Sequence, residues 1–192
     1  MHLNCANELR IMFINLYMQV SGIMRNQHKF RLFINGETNL IFGVSALTPV
    51  IDHIHITVSD IDRAEKFYDR FLPLLGFDLS LKEYDDVPEY EYRIVEYHNR
   101  NFSFGIVNQR KEYANETVSR RRAGALHHLA FHVESKNKVD ELFEKIAAIP
   151  ALIVHAPQYY PEYCKDYYAF FFKDTEGIEF EIVSFARHDY FT

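Results

Sequence analysis

Ten histidines stand out in this 192-residue chain, and several of them fall in spacings that can do chemistry. His53, His55 and Thr57 alternate with Ile54, Ile56 and Val58, and His128, Ala130 and His132 alternate in the same way with Leu129, Phe131 and Val133. A period of two puts each polar set on one face of a strand. Imidazoles held this way serve as divalent-metal ligands or as proton-transfer groups. Another strand-like run, Ile178 to Phe185, places Glu179 and Glu181 on a common face and can supply oxygen donors. Glu96 breaks the apolar pattern of Tyr92 to Tyr97, which makes it either a base or a partly exposed edge residue.

What positions these residues is a repeat. Sliding the chain against itself by 75 residues lays Ile51–Val58 on Leu126–Val133, and at 76 Phe102–Val107 lies on Ile178–Val183. After each histidine strand the apolar period changes from two to 3.6 residues. Asp60 caps one predicted helix, with Ile61, Ala64, Phe67, Tyr68 and Phe71 on its buried stripe, and Ser135 caps the other, with Val139, Leu142, Phe143 and Ile146. Three strand-like segments follow in both halves. The expected fold is α+β: two βαβββ repeats forming a curved mixed sheet around a concave pocket. The first module spans 50–109, a charged connector 110–124, the second module 125–186 and a tail 187–192. The run Pro157 to Tyr168, rich in tyrosine, is expected either to cover the pocket or to pack the sheet edge.

Residues 1–49 stand outside the repeat. Within them Leu32-Phe33-Ile34 before Asn35-Gly36 reads as a hairpin. An alternative initiation codon at Val50 would make 1–49 an extra segment not native to the protein.

Composition narrows the function. With 21 Lys plus Arg against 27 Asp plus Glu, the net charge is −6, and the one dense basic run, Arg120–Arg122, reads as a solvated loop. No nucleic acid partner is expected. Cys5 and Cys164 form no metal-binding or disulfide framework, which fits a reducing cytoplasm. The apolar stretch from Ile11 to Met24 is interrupted by Asn15, Gln19 and Ser21, so no membrane association is expected.

Three blocks in order, Ile51-Asp52-His53-Ile54 through Asp60 with Ala64, Phe67-Tyr68 and Leu75-Gly76-Phe77, then His128-Leu129-Ala130-Phe131, then Asp174, Gly177 and Glu181, resemble the vicinal oxygen chelate superfamily. That glyoxalase, bleomycin resistance and extradiol dioxygenase group holds one divalent metal ion inside the concave sheet. Carried over, the resemblance implies His53, His128 and Glu181 as metal ligands. Two imidazoles and a carboxylate suit Fe, Mn, Ni or Zn and leave positions open for substrate. The fourth family position falls on Gly105, which cannot ligate. Glyoxalase I has a glutamate there as ligand and base, a group that this chain lacks at the position that bears on the lactoylglutathione-forming reaction.

His55, His132 and Glu96 are the candidate catalytic groups beside the metal. His127, on the other parity, is read as a packing residue or a backbone partner. The expectation is a metal-dependent glyoxalase-like enzyme with lyase or isomerase chemistry on a small oxygen-chelating substrate, forming a homodimer. The alternatives are an Fe(II) extradiol-type dioxygenase on the same triad and a metal-free small-molecule binding or sequestering protein.

Overall fold

The computed structural model describes residues 50–116 and 119–190, with two short strands ahead of them, β1 (Leu32–Ile34) and β2 (Glu37–Asn39). These two pair antiparallel with Ile34 opposite Glu37, the hairpin expected around Asn35-Gly36. The chain divides into two units, 1–49 and 50–192. Cys5 and the interrupted apolar stretch lie outside the described residues.

In the second unit the βαβββ order occurs twice. Strand β3 (His53–Val58) runs into helix α1 (Ile61–Phe71), followed by β4 (Asp78–Val87), β5 (Tyr92–His98) and β6 (Ser103–Asn108). The second copy is β7 (Leu129–His132), α2 (Lys136–Ala147), β8 (Leu152–Tyr159), β9 (Tyr168–Lys173) and β10 (Glu179–Ser184), with a final helical turn α3 (Arg187–Tyr190). Both helices start where a side chain can take an otherwise unpaired N–H: Asp60 accepts from the Arg63 amide and Ser135 from the Lys138 amide. After α1 a 3-10 turn, Leu72–Leu75, ends at Gly76, whose φ of +85° suits glycine.

The strands form two four-stranded mixed sheets, ordered β3-β6-β5-β4 and β7-β10-β9-β8. In each, the first strand pairs parallel with the last, β3 with β6 and β7 with β10, while the other pairs are antiparallel. The alternation read in the sequence decides which face is covered. Ile56, Val58, Val95, Tyr97, Phe104 and Ile106 are buried towards the helices, whereas His53, His55, Glu96 and His98 lie on the opposite, open face.

One aromatic core serves both modules. Phe71 of α1 meets Phe172 and Phe180 of the second sheet at ring-centroid distances of 5.2 and 5.5 Å, and Tyr68 lies 5.2 Å from Phe104 of the first. Aromatic pairs at such distances add to the burial of apolar area. Polar ties cross the same junction. The Tyr68 hydroxyl donates to Asp174 at 2.6 Å, and Glu176 accepts from Ser59 and Arg63. Among the described residues no helix is long and apolar enough to cross a membrane.

Asp174 is 5% exposed and accepts from Tyr68 and from the Glu176 and Ile178 amides. Replacing it with alanine strands three donors and is expected to cost about 2–4 kcal/mol of unfolding free energy, read from the urea midpoint. Burial raises its carboxyl above the usual aspartate range, against the pull of those three bonds. A raised acid helps folding most at low pH and loses that contribution as pH rises through its folded-state value. The Asp174→Asn variant should therefore gain on wild type as pH rises from the ordinary aspartate range through the raised titration of this carboxyl.

Candidate functional site

On the open face of the second sheet, Glu181 is the central group. Its ladder neighbours are Ala130 on β7 and Phe171 on β9. The small Ala130 leaves room at its side, and His128, just before β7, brings Nε2 to 3.5 Å from Glu181 Oε2. The other carboxylate oxygen accepts from the Tyr167 hydroxyl at 2.7 Å. Burial pushes the Glu181 carboxyl above its ordinary value, while Tyr167 and His128 pull it down. Tyr167 itself is raised by burial and by its bond to the carboxylate, so it stays a donor.

Beside this pair lies a cleft of about 280 Å³ walled by His132, Tyr163, Tyr167, Val183 and Phe185. The His132 Nε2 lies 3.0 Å from the Phe185 carbonyl oxygen. A carbonyl only accepts, so Nε2 carries the proton in this bond. Tyr163 and Tyr167 pack edge to face at 5.1 Å, and Tyr167 stacks on Phe185 at 5.1 Å. The tyrosine run thus both packs together and walls the cleft. Part of it is strand, since β8 continues to Tyr159.

The first sheet is built differently along the same row. His55, Gly105 and Glu96 stand side by side on β3, β6 and β5. His55 Nε2 reaches across the glycine to Glu96 Oε1 at 3.0 Å. A Cβ on Gly105 would sit 2.6 Å from His55 Cδ2, so the imidazole fills the space that any side chain there would need. Both partners are partly sheltered, with side chains 33% and 26% exposed. His53 packs its ring against His55 at 4.8 Å, and its Nδ1 lies 2.9 Å from Asp52 Oδ2.

Of the residues singled out in the sequence, the structure brings together His128 with Glu181 and His55 with Glu96. Among the described residues, His53 does not share a ligand grouping with His128 and Glu181; the grouping found within 4.8 Å is Glu83, Glu96 and His98. His98 and Glu83 were not singled out, although the period of two from Glu96 to His98 marks a common face. Glu96 is not on an edge strand: β5 lies between β4 and β6. Its counterpart in the second module is Phe171, the residue opposite Glu181. His127 is exposed, and its Nδ1 lies 2.8 Å from His128 Nδ1. It precedes β7, so strand parity does not govern it. Arg120, read as part of a solvated loop, pairs with Glu179, whose side chain is 7% exposed.

The chain aligns with the Bacillus subtilis (strain 168) protein YqjT at 30% identity over 132 residues, 69% of this chain and 96% of that protein. A crystal structure of a glyoxalase candidate from Bacillus halodurans superposes with a TM-score of 0.55 and 27% identity, covering 70% of this chain and 94% of that one. A glyoxalase/bleomycin resistance protein/dioxygenase domain from Frankia sp. EAN1pec shares the fold, with a TM-score of 0.56, 22% identity and coverage of 72% and 98%. Residues 50–182 match the family model of the same description, over both modules and the site they carry. The chain belongs to the Glyoxalase/Bleomycin resistance protein/Dioxygenase superfamily.

Proposed function

We propose that the chain is a metal-dependent, glyoxalase-like enzyme with lyase or isomerase chemistry on a small organic substrate that presents adjacent oxygens. The observation that carries this reading is the His128–Glu181 pair beside the cleft. Glu181 is a carboxylate with a 3% exposed side chain, one oxygen fixed by Tyr167 and the other 3.5 Å from an imidazole nitrogen. Such a nitrogen and oxygen suit one divalent ion of Fe, Mn, Ni or Zn, and Tyr167 provides the outer hydrogen bond that ligating carboxylates usually have. His128 and Glu181 would hold it, and the family resemblance adds His53, which shares no ligand grouping with them among the described residues. When bound, the ion supplies Lewis acidity to the substrate oxygens.

The proton work falls to this chain's own side chains. With Nε2 donating to Glu96, His55 has Nδ1 as the atom that takes a proton. Gly105 keeps the family's usual carboxylate out of this place, and the imidazole occupies it. His132 holds the cleft wall through Phe185, while Tyr163 and Tyr167 offer ring faces and hydroxyls to a small, partly unsaturated substrate. A homodimer and a cytoplasmic setting complete this reading.

Two histidines and one carboxylate are also the donor set of non-haem Fe(II) oxygenases, which supports a dioxygenase as the second reading. Elemental mass spectrometry of anaerobically purified protein tests both. The His128–Glu181 centre is expected to contribute about one equivalent of metal, and that equivalent is lost in His128→Ala and in Glu181→Ala with the fold retained by circular dichroism. Iron together with oxygen uptake on a catechol would move the assignment to the dioxygenase. No metal in wild type after reconstitution would leave a metal-free binding protein.

A second prediction concerns Gly105. The Gly105→Ala methyl is expected to drive His55 off Glu96, changing the His55 imidazole nitrogen shifts in NMR with the fold retained by circular dichroism. Unchanged His55 shifts would remove the role given to the pair.

A further inference from the structure

We propose that the open face of the first sheet carries a second cation site, formed by Glu83, Glu96 and His98 and taking a divalent transition-metal ion. It stands apart from the His53, His128, Glu181 reading. Each of the three residues offers a ligand atom within 4.8 Å of the other two. The backbone sets this arrangement. Glu83 faces Glu96 across the β4–β5 ladder, and His98 follows Glu96 by two residues on the same face of β5.

The nitrogen of His98 supplies the second observation. Nε2 is buried and has no hydrogen-bond partner. Glu83 Oε2 lies 3.9 Å away, too far for a hydrogen bond. Two atoms bound to one ion at about 2.1 Å each stand roughly 3–4 Å apart, which is the kind of spacing this pair has. A buried ring nitrogen left unpaired costs free energy, and an ion between it and the carboxylates would remove that cost.

The outer partners fit as well. His98 Nδ1 lies 2.7 Å from Ser103 Oγ, which fixes the ring and turns Nε2 towards the acids. His55 engages one oxygen of Glu96 and orients that carboxylate. The nearby cations are committed elsewhere: Lys82 to Glu65 and Asp69, Arg93 to Asp62. Glu83 is 75% exposed and gives an entry path and room for water on the ion. One nitrogen and two carboxylate oxygens suit Zn²⁺, Mn²⁺ or Ni²⁺ better than a thiolate-seeking ion.

The test is calorimetric titration of the chelator-stripped full chain with Zn²⁺ alone, with bound metal counted after gel filtration. His98→Ala and Glu83→Gln are each expected to bind about one equivalent fewer than wild type. Glu83 is exposed, so its variant folds and keeps the test decisive if His98→Ala does not. Wild-type stoichiometry and affinity in Glu83→Gln, and in His98→Ala if that variant folds, would overturn the site. A loss in these variants with none in His128→Ala would keep this site and remove the metal centre on the second sheet. Loss in His128→Ala with none here would do the reverse.

Discussion

The carboxylate of Asp174 holds the two halves of the second unit in working relation. It sits in the turn before β10 and closes that turn by accepting from the Glu176 and Ile178 amides. Its other oxygen takes the hydroxyl of Tyr68 from helix α1 of the first module. Gly177, at φ +83°, allows the chain to turn sharply enough for these bonds. Four residues beyond the turn, β10 presents Glu181. The register of β10 puts this carboxylate opposite Ala130 and within reach of His128. Burying a carboxylate is unfavourable, and its three donors offset that cost only in part, since burial still raises the carboxyl above the ordinary range.

Around that tie the aromatic core does the larger share of the work. Tyr68 and Phe71 are fully buried and sit between side chains of both sheets. Neither βαβββ copy has enough apolar surface to be expected to stand alone. The helix-facing side of each sheet is therefore committed to packing, and only the open side is left for chemistry. This division is why polar side chains at alternate positions of β3 and β5, and before β7, gather on the open face.

Much of this was legible because alternation and repetition are local signals. The period of two from His53 to Val58 already separates the histidine face from the buried one, and the two helix caps are readable at Asp60 and Ser135. What stayed hidden depends on pairing between distant segments. The strand register between β4 and β5 slips between Asp78 and Glu83, so no fixed offset in the sequence places Glu83 beside Glu96. Arg120 finds Glu179 across 59 positions, a partner that a run of three arginines does not announce. His127 departs from the expected packing for a related reason: it stands two residues before Leu129, the first residue of β7, where no ladder enforces alternation.

The duplicated backbone also explains how one fold carries two unlike chemical stations. Equivalent rows across three strands read His55–Gly105–Glu96 in the first module and Ala130–Glu181–Phe171 in the second. In the first row the centre is small, so the flanking side chains lean over it and meet at 3.0 Å. In the second row the centre carries the functional group, and the flank at Ala130 is small to make room for His128 beside it. Exchanging large and small residues between centre and flank turns the same ladder geometry from a hydrogen-bonded pair into a single buried carboxylate. A glutamate at Gly105 would collide with His55, and an imidazole at Ala130 would crowd Glu181. Each row excludes the other's solution by sterics, so the bare centre at Gly105 and the His55–Glu96 pair are one structural fact.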